Sequence, residues 1–325
     1  MDLFLHFAIY CYYIFRGGIT MKKGLLFLLE LSLAGLCLNC VNSAAQQGKY
    51  RGFSINTGRD KTITDCGQIT MRVDDLQVVR SEQERTLPKS AVNSLQIQSA
   101  LHGGIQVSGW DRDHYAIKAC LGAAGDSVAE AQRLLAQLAL SAQDGRVTVT
   151  GPGGESWMGY LIIQAPNGAA MELEAKNSPI GVSSITGNIV ARNQNGPVTL
   201  RDVDGQVRAE VMNGPISFAG SRGEHRLNVQ NGPLSVELLG SRWESGELEG
   251  RTENGPIALS LPPDYQSAVQ VDTSKHSPVE CRAAQCKEAM RTWDRPNLIA
   301  FGGPNPVIRL STVNGPTTVT SSGAK

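Results

Sequence analysis

The chain has 325 residues, with 30 Lys and Arg balancing 30 Asp and Glu, so its formal net charge is zero. No basic block interrupts that balance, which removes the electrostatic basis for binding nucleic acid. Glycine is abundant, at 35 residues, and aromatics make up only 6%, a composition that suits a repetitive β protein better than a helical one.

In chain order, residues 1–45 read as a signal or targeting segment. Met21, Lys22 and Lys23 open a basic stretch, residues 24–37 are apolar apart from Glu30 and Ser32, and Ser43-Ala44-Ala45 offers small residues for cleavage before Gln46. Met21 is the expected start of translation, with residues 1–20 an upstream extension. The rival reading makes the whole stretch a membrane anchor, for which it is long enough. A lipid anchor at Cys37 or Cys40 is disfavoured, because Leu36 and Asn39 stand where such signals carry a small residue. The expected location is therefore the periplasm, the cell envelope or the exterior.

Residues 46–90 read as an irregular, polar N-terminal segment with one alternating stretch, Ile69-x-Met71-x-Val73. From Leu95 the pattern becomes strands: Leu95-x-Ile97, a Gly103-Gly104 turn, Ile105-x-Val107, a loop at Trp110 to Asp113, then Tyr115-x-Ile117. One helix interrupts them. Ser127 and Glu130 have the spacing of a capping box, and Val128, Ala131, Leu134, Leu135 and Leu138 form an apolar face, which predicts a short helix covering an open end or side.

A phrase then recurs. Asn195-Gly196-Pro197-Val198, Asn213-Gly214-Pro215-Ile216, Asn231-Gly232-Pro233-Leu234 and Asn254-Gly255-Pro256-Ile257 are preceded by Asn177-Ser178-Pro179-Ile180 and followed by Asn314-Gly315-Pro316-Thr317. The first four Asn, from Asn177 to Asn231, are 18 residues apart each time. Apolar residues recur three and five positions after each of the first five Asn, and two short alternating stretches fill each period. Eighteen residues are too few for a strand–helix–strand crossover, and they suit one coil of a stack with strands about 4.8 Å apart. The predicted fold is all-β: a single-stranded, right-handed β-helix or β-solenoid over residues 91–325 with one short capping α-helix. Asn and Gly suit a corner that needs left-handed backbone, and Pro suits the first residue of a strand. Asn177, Asn195, Asn213, Asn231, Asn254 and Asn314 are expected to form a hydrogen-bonded turn ladder; the alternative is a ligand-binding stripe.

The fourth repeat carries an excess at residues 242–250, read as a protruding turn, and residues 273–304 break the period as an insertion. Trp243 and Trp293, one in each, are candidate contact residues. Four Cys follow the cleavage site, and an even count in an exported chain points to disulfides. Cys281 and Cys286 would close a small loop, and Cys66 and Cys120 would tie the N-terminal segment to the body.

Together, the Gly103-Gly104-Ile105-x-Val107-x-Gly109-Trp110-Asp111 run, the Ala165-Pro166-Asn167-Gly168 turn and the Asn-Gly-Pro series resemble the bacterial "putative adhesin" domain of unknown function, which repeats Asn-Gly-x-Ile along a β-solenoid. The resemblance covers residues 90–320. It implies an exported, envelope-associated solenoid and no particular activity; the Pro after Asn-Gly and the Cys-bearing insertion depart from it. The expected function is a scaffold or adhesion-type binding module for a cell-surface or envelope protein or glycan, without cofactor or metal. The alternative is a carbohydrate-active β-helix enzyme, a polysaccharide lyase or hydrolase. His102, His114, His225 and His276 sit in no nucleophile elbow or metal motif. Asp202-x-Asp204-Gly205 lacks the remaining ligands of a calcium loop. Glu210, Glu237 and Asp202 share no column, so a stacked acidic site is not expected.

Overall fold

A repeat of eighteen residues cannot satisfy its own backbone or hide its own apolar side, so both must be supplied by its neighbours. The computed structural model describes residues 54–56, 62–73, 75–154, 156–274, 277–287, 290–292 and 295–322, all within one unit, Arg51–Lys325. The targeting segment 1–45 with Met21, Cys37 and Cys40, and also His276 and Trp293, lie outside the described residues.

Among the described residues the fold is all-β with one α-helix. β1 (Ser54–Asn56) and β2 (Thr70–Arg72) form a small antiparallel pair. β3 (Gln77–Pro88), β4 (Leu95–Gln98), β5 (Gly103–Trp110) and β6 (His114–Gly125) precede α1 (Val128–Leu135), and β7 (Ala139–Gln143), β8 (Arg146–Thr150), β9 (Trp157–Pro166) and β10 (Ala169–Ala175) follow it. The repeats give β11 (Ile180–Asn195), β12 (Val198–Asn213), β13 (Ile216–Gly220), β14 (Glu224–Asn231), β15 (Leu234–Leu238), β16 (Leu248–Asn254) and β17 (Ile257–Leu261). The C-terminal part gives β18 (Val269–Thr273), β19 (Val279–Cys281), β20 (Met290–Thr292), β21 (Arg295–Phe301), β22 (Ile308–Asn314) and β23 (Thr317–Ser321). β3 to β23 form one large mixed sheet.

Successive repeats pair in parallel and in register, so that Ile180 meets Val198, Val198 meets Ile216, Ile216 meets Leu234 and Leu234 meets Ile257. The column continues through Ile105 and Leu161 on one side and Thr317 on the other, and every member is at most 1% exposed. Full burial of each aliphatic member is worth about 1.5–3 kcal/mol, which makes this column a main source of cohesion.

The corners meet the sequence expectation in part. Among the described residues no ladder Asn has positive φ; the non-Gly residues that do are Asp144, Ser184 and Asp202. Ser184 and Asp202, each at φ 51°, bend β11 and β12 in mid-strand. In the Asn-Gly-Pro corner Gly214 and Gly232 take positive φ, 148° and 152°, and the backbones also touch: a Cβ on Gly255 would lie 1.9 Å from the Gly232 carbonyl oxygen. Pro has no N–H to leave unsatisfied there, and its carbonyl accepts from the next strand, as in Val198 N to Pro215 O at 3.0 Å.

At both ends the stacking order departs from chain order. β4 and β5 lie between β8/β9 on one side and β10/β11 on the other. β22 and β23 lie between β16/β17 and β18/β19. The repeat therefore resumes after the insertion directly on β16/β17, with β18/β19 stacked beyond it. Asn254 is followed in the stack by Asn314, and much of the 273–304 insertion is built into the sheet: β19 pairs with β23, and β21 runs antiparallel to β18.

Residues 46–90 are not irregular throughout. β3 is a twelve-residue strand antiparallel to β6. It escaped a pattern reading because most of its residues are exposed or half-buried on both faces, so apolar alternation is weak. Ile69 and Met71 pack with Cys66, Cys120, Met158, Tyr160 and Ile162 in a second, smaller core. α1 packs on β6 and β3. Ser127 accepts from Glu130 N at 3.2 Å, but the Glu130 carboxylate reaches Asp126 N at 3.0 Å instead of closing the box on Ser127. The helix ends before Leu138, Val128 is exposed, and Ala131 is its one fully buried residue.

Disulfides join Cys66 to Cys120 across 54 residues and Cys281 to Cys286 across 5. The longer loop removes more unfolded-state entropy, about 4 kcal/mol against about 2 kcal/mol in the chain-entropy account. Urea unfolding of Cys66→Ser/Cys120→Ser is expected to show the larger loss of stability and Cys281→Ser/Cys286→Ser the smaller; the reverse order would contradict this ranking. At the corner, Gly255→Ala is expected to lower stability by about 3 kcal/mol through the forced separation of two backbones, against about 1 kcal/mol for Asn213→Ala. Thermal midpoints of the two variants check it.

Candidate functional site

The two residues flanking each inward position before a ladder Asn point outward, because side chains alternate along a strand. The positions three before Asn are Glu174, Arg192, Glu210, Asn228 and Arg251, paired strand to strand in one row. The positions one before Asn are Lys176, Gln194, Met212, Gln230 and Glu253. Between these two rows runs an open groove of about 860 Å³, closed at one end by Gln98 to Leu101.

Arg192 organises the first row. Its guanidinium pairs with Glu172, with Glu174 at 3.9 Å and with Glu210 at 3.3 Å, while Arg208 holds Glu210 from the other side at 2.6 Å. The hydrogen bond to Glu172 is the main cause that raises the Arg192 pKa further above its ordinary value. Met212 is 47% exposed and Leu101 41%, both large apolar side chains facing solvent from the groove. Lys176, Arg251 and Glu253 hold no ion pair among the described residues.

The six Asn stand beside this groove on the exposed corner. Asn195 donates to the Asn177 side-chain oxygen at 2.9 Å, Asn213 to Asn195 at 2.8 Å, Asn231 to Asn213 at 3.0 Å, Asn254 to Asn231 at 2.9 Å and Asn314 to Asn254 at 2.9 Å. The amides thus form one continuous chain with a single direction.

The structure corrects one contact candidate. Trp243 is 6% exposed and belongs to the main core, so it cannot serve as a surface anchor; the excess at residues 242–250 brings its ring inward. It lies beside Phe218, with centroids 6.1 Å apart, and edge-on to His225 at 5.7 Å. Asp204 accepts from Gly205 N and pairs with Arg222 at 3.1 Å, and among the described residues no group of His, Cys, Asp and Glu could hold a metal ion. The sequence reading considered Glu210 but missed Glu174, which shares its row two strands away. It also missed Met212. Reading the repeat at the position before each Asn would have exposed both the second row and its apolar members, Met212 and Val313.

His225 is fully buried, in register between Val207 and Leu248, with Nε2 2.7 Å from the Arg222 carbonyl oxygen. Burial pushes its pKa below the ordinary value, against the upward pull of that hydrogen bond and of Asp204 and Glu224. Because the folded value is the lower one, the unfolded chain takes up a proton first as pH falls below about 6.5, and stability is lost from there downward. His225→Leu, which matches the aliphatic column, is expected to flatten the fall of the thermal midpoint between about pH 7 and 5 relative to the parent. Parallel profiles for the two proteins would assign the acid sensitivity elsewhere.

No family model matches the sequence, and no curated protein does. Solved structures do superpose on it. A "putative cell adhesion protein" from Clostridium sporogenes is 13% identical, with 75% of this chain and 99% of that chain covered and a TM-score of 0.31. A "putative adhesin" from Bacteroides fragilis is 8% identical, with 75% and 97% covered and a TM-score of 0.33. A "Putative lipid binding protein" from Parabacteroides distasonis is 9% identical, with 74% and 96% covered and a TM-score of 0.33. Superpositions of this closeness carry no function to the chain.

Proposed function

We propose that the protein is an exported, envelope-associated β-solenoid that acts as a scaffold or adhesion-type binding module, with the groove beside the Asn ladder as its contact surface. The observation that carries this reading is the groove itself: two in-register rows of side chains fixed on a rigid parallel stack, with Met212 and Leu101 exposed among charges. Such a stack presents an extended surface whose geometry is set before a partner arrives, which lowers the ordering cost of binding. The two disulfides and the signal-like residues 1–45 support export. A surface or envelope protein or a glycan is the fitting partner class.

A carbohydrate-active enzyme is the second reading, and one observation favours it. Glu174 and Glu210 stand two strand spacings apart, about 10 Å, near the separation of the two carboxylates in an inverting glycosidase. Arg192 lies between them and pairs with both, which ties up the groups such a mechanism needs free and ranks binding above catalysis.

The test is binding of the disulfide-intact protein to envelope fractions and a glycan array. Arg251→Glu, in the groove, is expected to weaken binding at least tenfold, while Arg201→Glu on a different outer face leaves it unchanged. Equal effects would remove the groove from the reading. Polysaccharide turnover abolished by Glu174→Gln or Glu210→Gln would replace the binding module with the enzyme.

A further inference from the structure

The groove has an order along its length that a surface for an unrelated partner does not require. The row before the ladder reads Lys176, Gln194, Met212, Gln230, Glu253. Reversed end for end about Met212, Lys176 meets Glu253, Gln194 meets Gln230, and Met212 meets itself. The apolar residues flanking the row extend the pattern: Leu101 lies beyond Lys176 and Val313 beyond Glu253, each 41% exposed. Three of the four exposed large apolar side chains among the described residues therefore lie along this one strip, Met212 and Val313 in the row and Leu101 one residue off its register at the far end. The neighbouring row reverses in the same sense. Glu174 meets Arg251, and Arg192 meets Asn228. Glu210 meets itself, with its charge already held by Arg192 and Arg208.

We propose, building on the groove as the contact surface, that its partner is a second copy of this chain, docked face to face and antiparallel about a two-fold axis through Met212. A closed two-fold interface must be self-complementary, and in this row the residues brought together match in chemistry: Lys176 with Glu253, Gln194 with Gln230 and Met212 with itself. The charges concerned are also the ones left over. Lys176, Arg251 and Glu253 have no ion pair within their own chain among the described residues, and Glu174 has only the 3.9 Å contact to Arg192. Within one chain Lys176 and Glu253 are four strand spacings apart, about 19 Å, too far to neutralise each other. Across the two-fold they coincide. From Leu101 to Val313 the strip runs six spacings, about 29 Å, and is two side-chain rows wide. That places the interface at the small end of specific interfaces, so the association is reversible and concentration-dependent. Two copies joined this way hold their stacks side by side and reversed, the geometry of a homotypic contact between surface modules.

The test is sedimentation velocity of the intact, disulfide-bonded protein over a wide concentration range, with thermal midpoints confirming that each variant is folded. The parent is expected to move from monomer to dimer as concentration rises. Met212→Glu places two carboxylates on the axis and is expected to weaken dimerisation at least tenfold. Lys176→Glu and Glu253→Lys are each expected to weaken it several-fold, and the two combined to restore it, because the pair across the axis is then reversed and whole again. A merely structural role for either residue gives no such rescue. A parent that stays monomeric throughout, or a double variant no better than the singles, overturns the proposal. A monomeric parent that still binds envelope material through the groove would leave the binding module standing without the dimer. A dimer with the expected rescue but no envelope binding would do the opposite.

Discussion

The close approach of backbones at the Asn-Gly-Pro corner is the constraint on which the rest of the sheet depends. With Gly255 pressed on the Gly232 carbonyl, the corner admits no side chain, and each Pro carbonyl receives an N–H from the adjacent strand. These contacts fix the register of one repeat on the next. Register in turn decides which residues face inward, since a slip of one would send the whole Ile180 to Ile257 column into water and draw Arg192 and Glu210 into the core. The Asn amides then add a second, solvent-facing chain of hydrogen bonds along the same axis. Burial and side-chain ladder thus favour the same register, which gives the stack its specificity.

The outer charges contribute in another way. Arg192 is 43% exposed at its side chain, and its acidic partners are similarly open, so each pair adds little to stability. Their effect is positional. Strung along a row with fixed spacing, they hold Glu174 and Glu210 in place and leave Lys176, Arg251 and Glu253 as the charges available to a partner. Stability comes mainly from the columns inside, and recognition from what those columns keep in line outside.

What could be read from the sequence follows the same division. The inward column was legible because each member keeps a constant offset from an Asn, and the disulfide pairs because the four Cys beyond the expected cleavage site leave few pairings. The mechanics of the corner were half legible: Asn, Gly and Pro marked the turn, and positive φ at Gly214 and Gly232 fits that reading, but the contact between backbones that also selects Gly there was not visible. β3 was hidden by its polar faces. Trp243 was misplaced because a large aromatic in a polar excess resembles a protrusion until Phe218 and His225 are seen to enclose it. The groove was invisible for a different reason. Its rows run across the repeats, perpendicular to the chain, and Lys176 and Glu253 acquire a relation only after five strands are laid side by side.

The ends of the stack show how that relation is kept. A stack threaded strictly in chain order would expose its last repeat as a terminal strand pair, free to fray. Here β22 and β23, the last strands of the chain, are inserted between β16/β17 and β18/β19, and β4/β5 are likewise covered by β8/β9, which come later in the sequence. Peeling away either end therefore means breaking contacts between segments far apart in sequence, and the covering strands are themselves paired antiparallel, β18 with β21 and β9 with β6. Such non-local closure slows folding and ties both ends of the described stack to segments distant in sequence. The strip draws its outermost members from these covered levels, Leu101 just after β4 and Val313 on β22 beyond the end of the groove. The arrangement that protects the ends of the sheet also holds both ends of the proposed contact row at fixed distance from Met212, and a self-complementary surface has meaning only while that distance is kept.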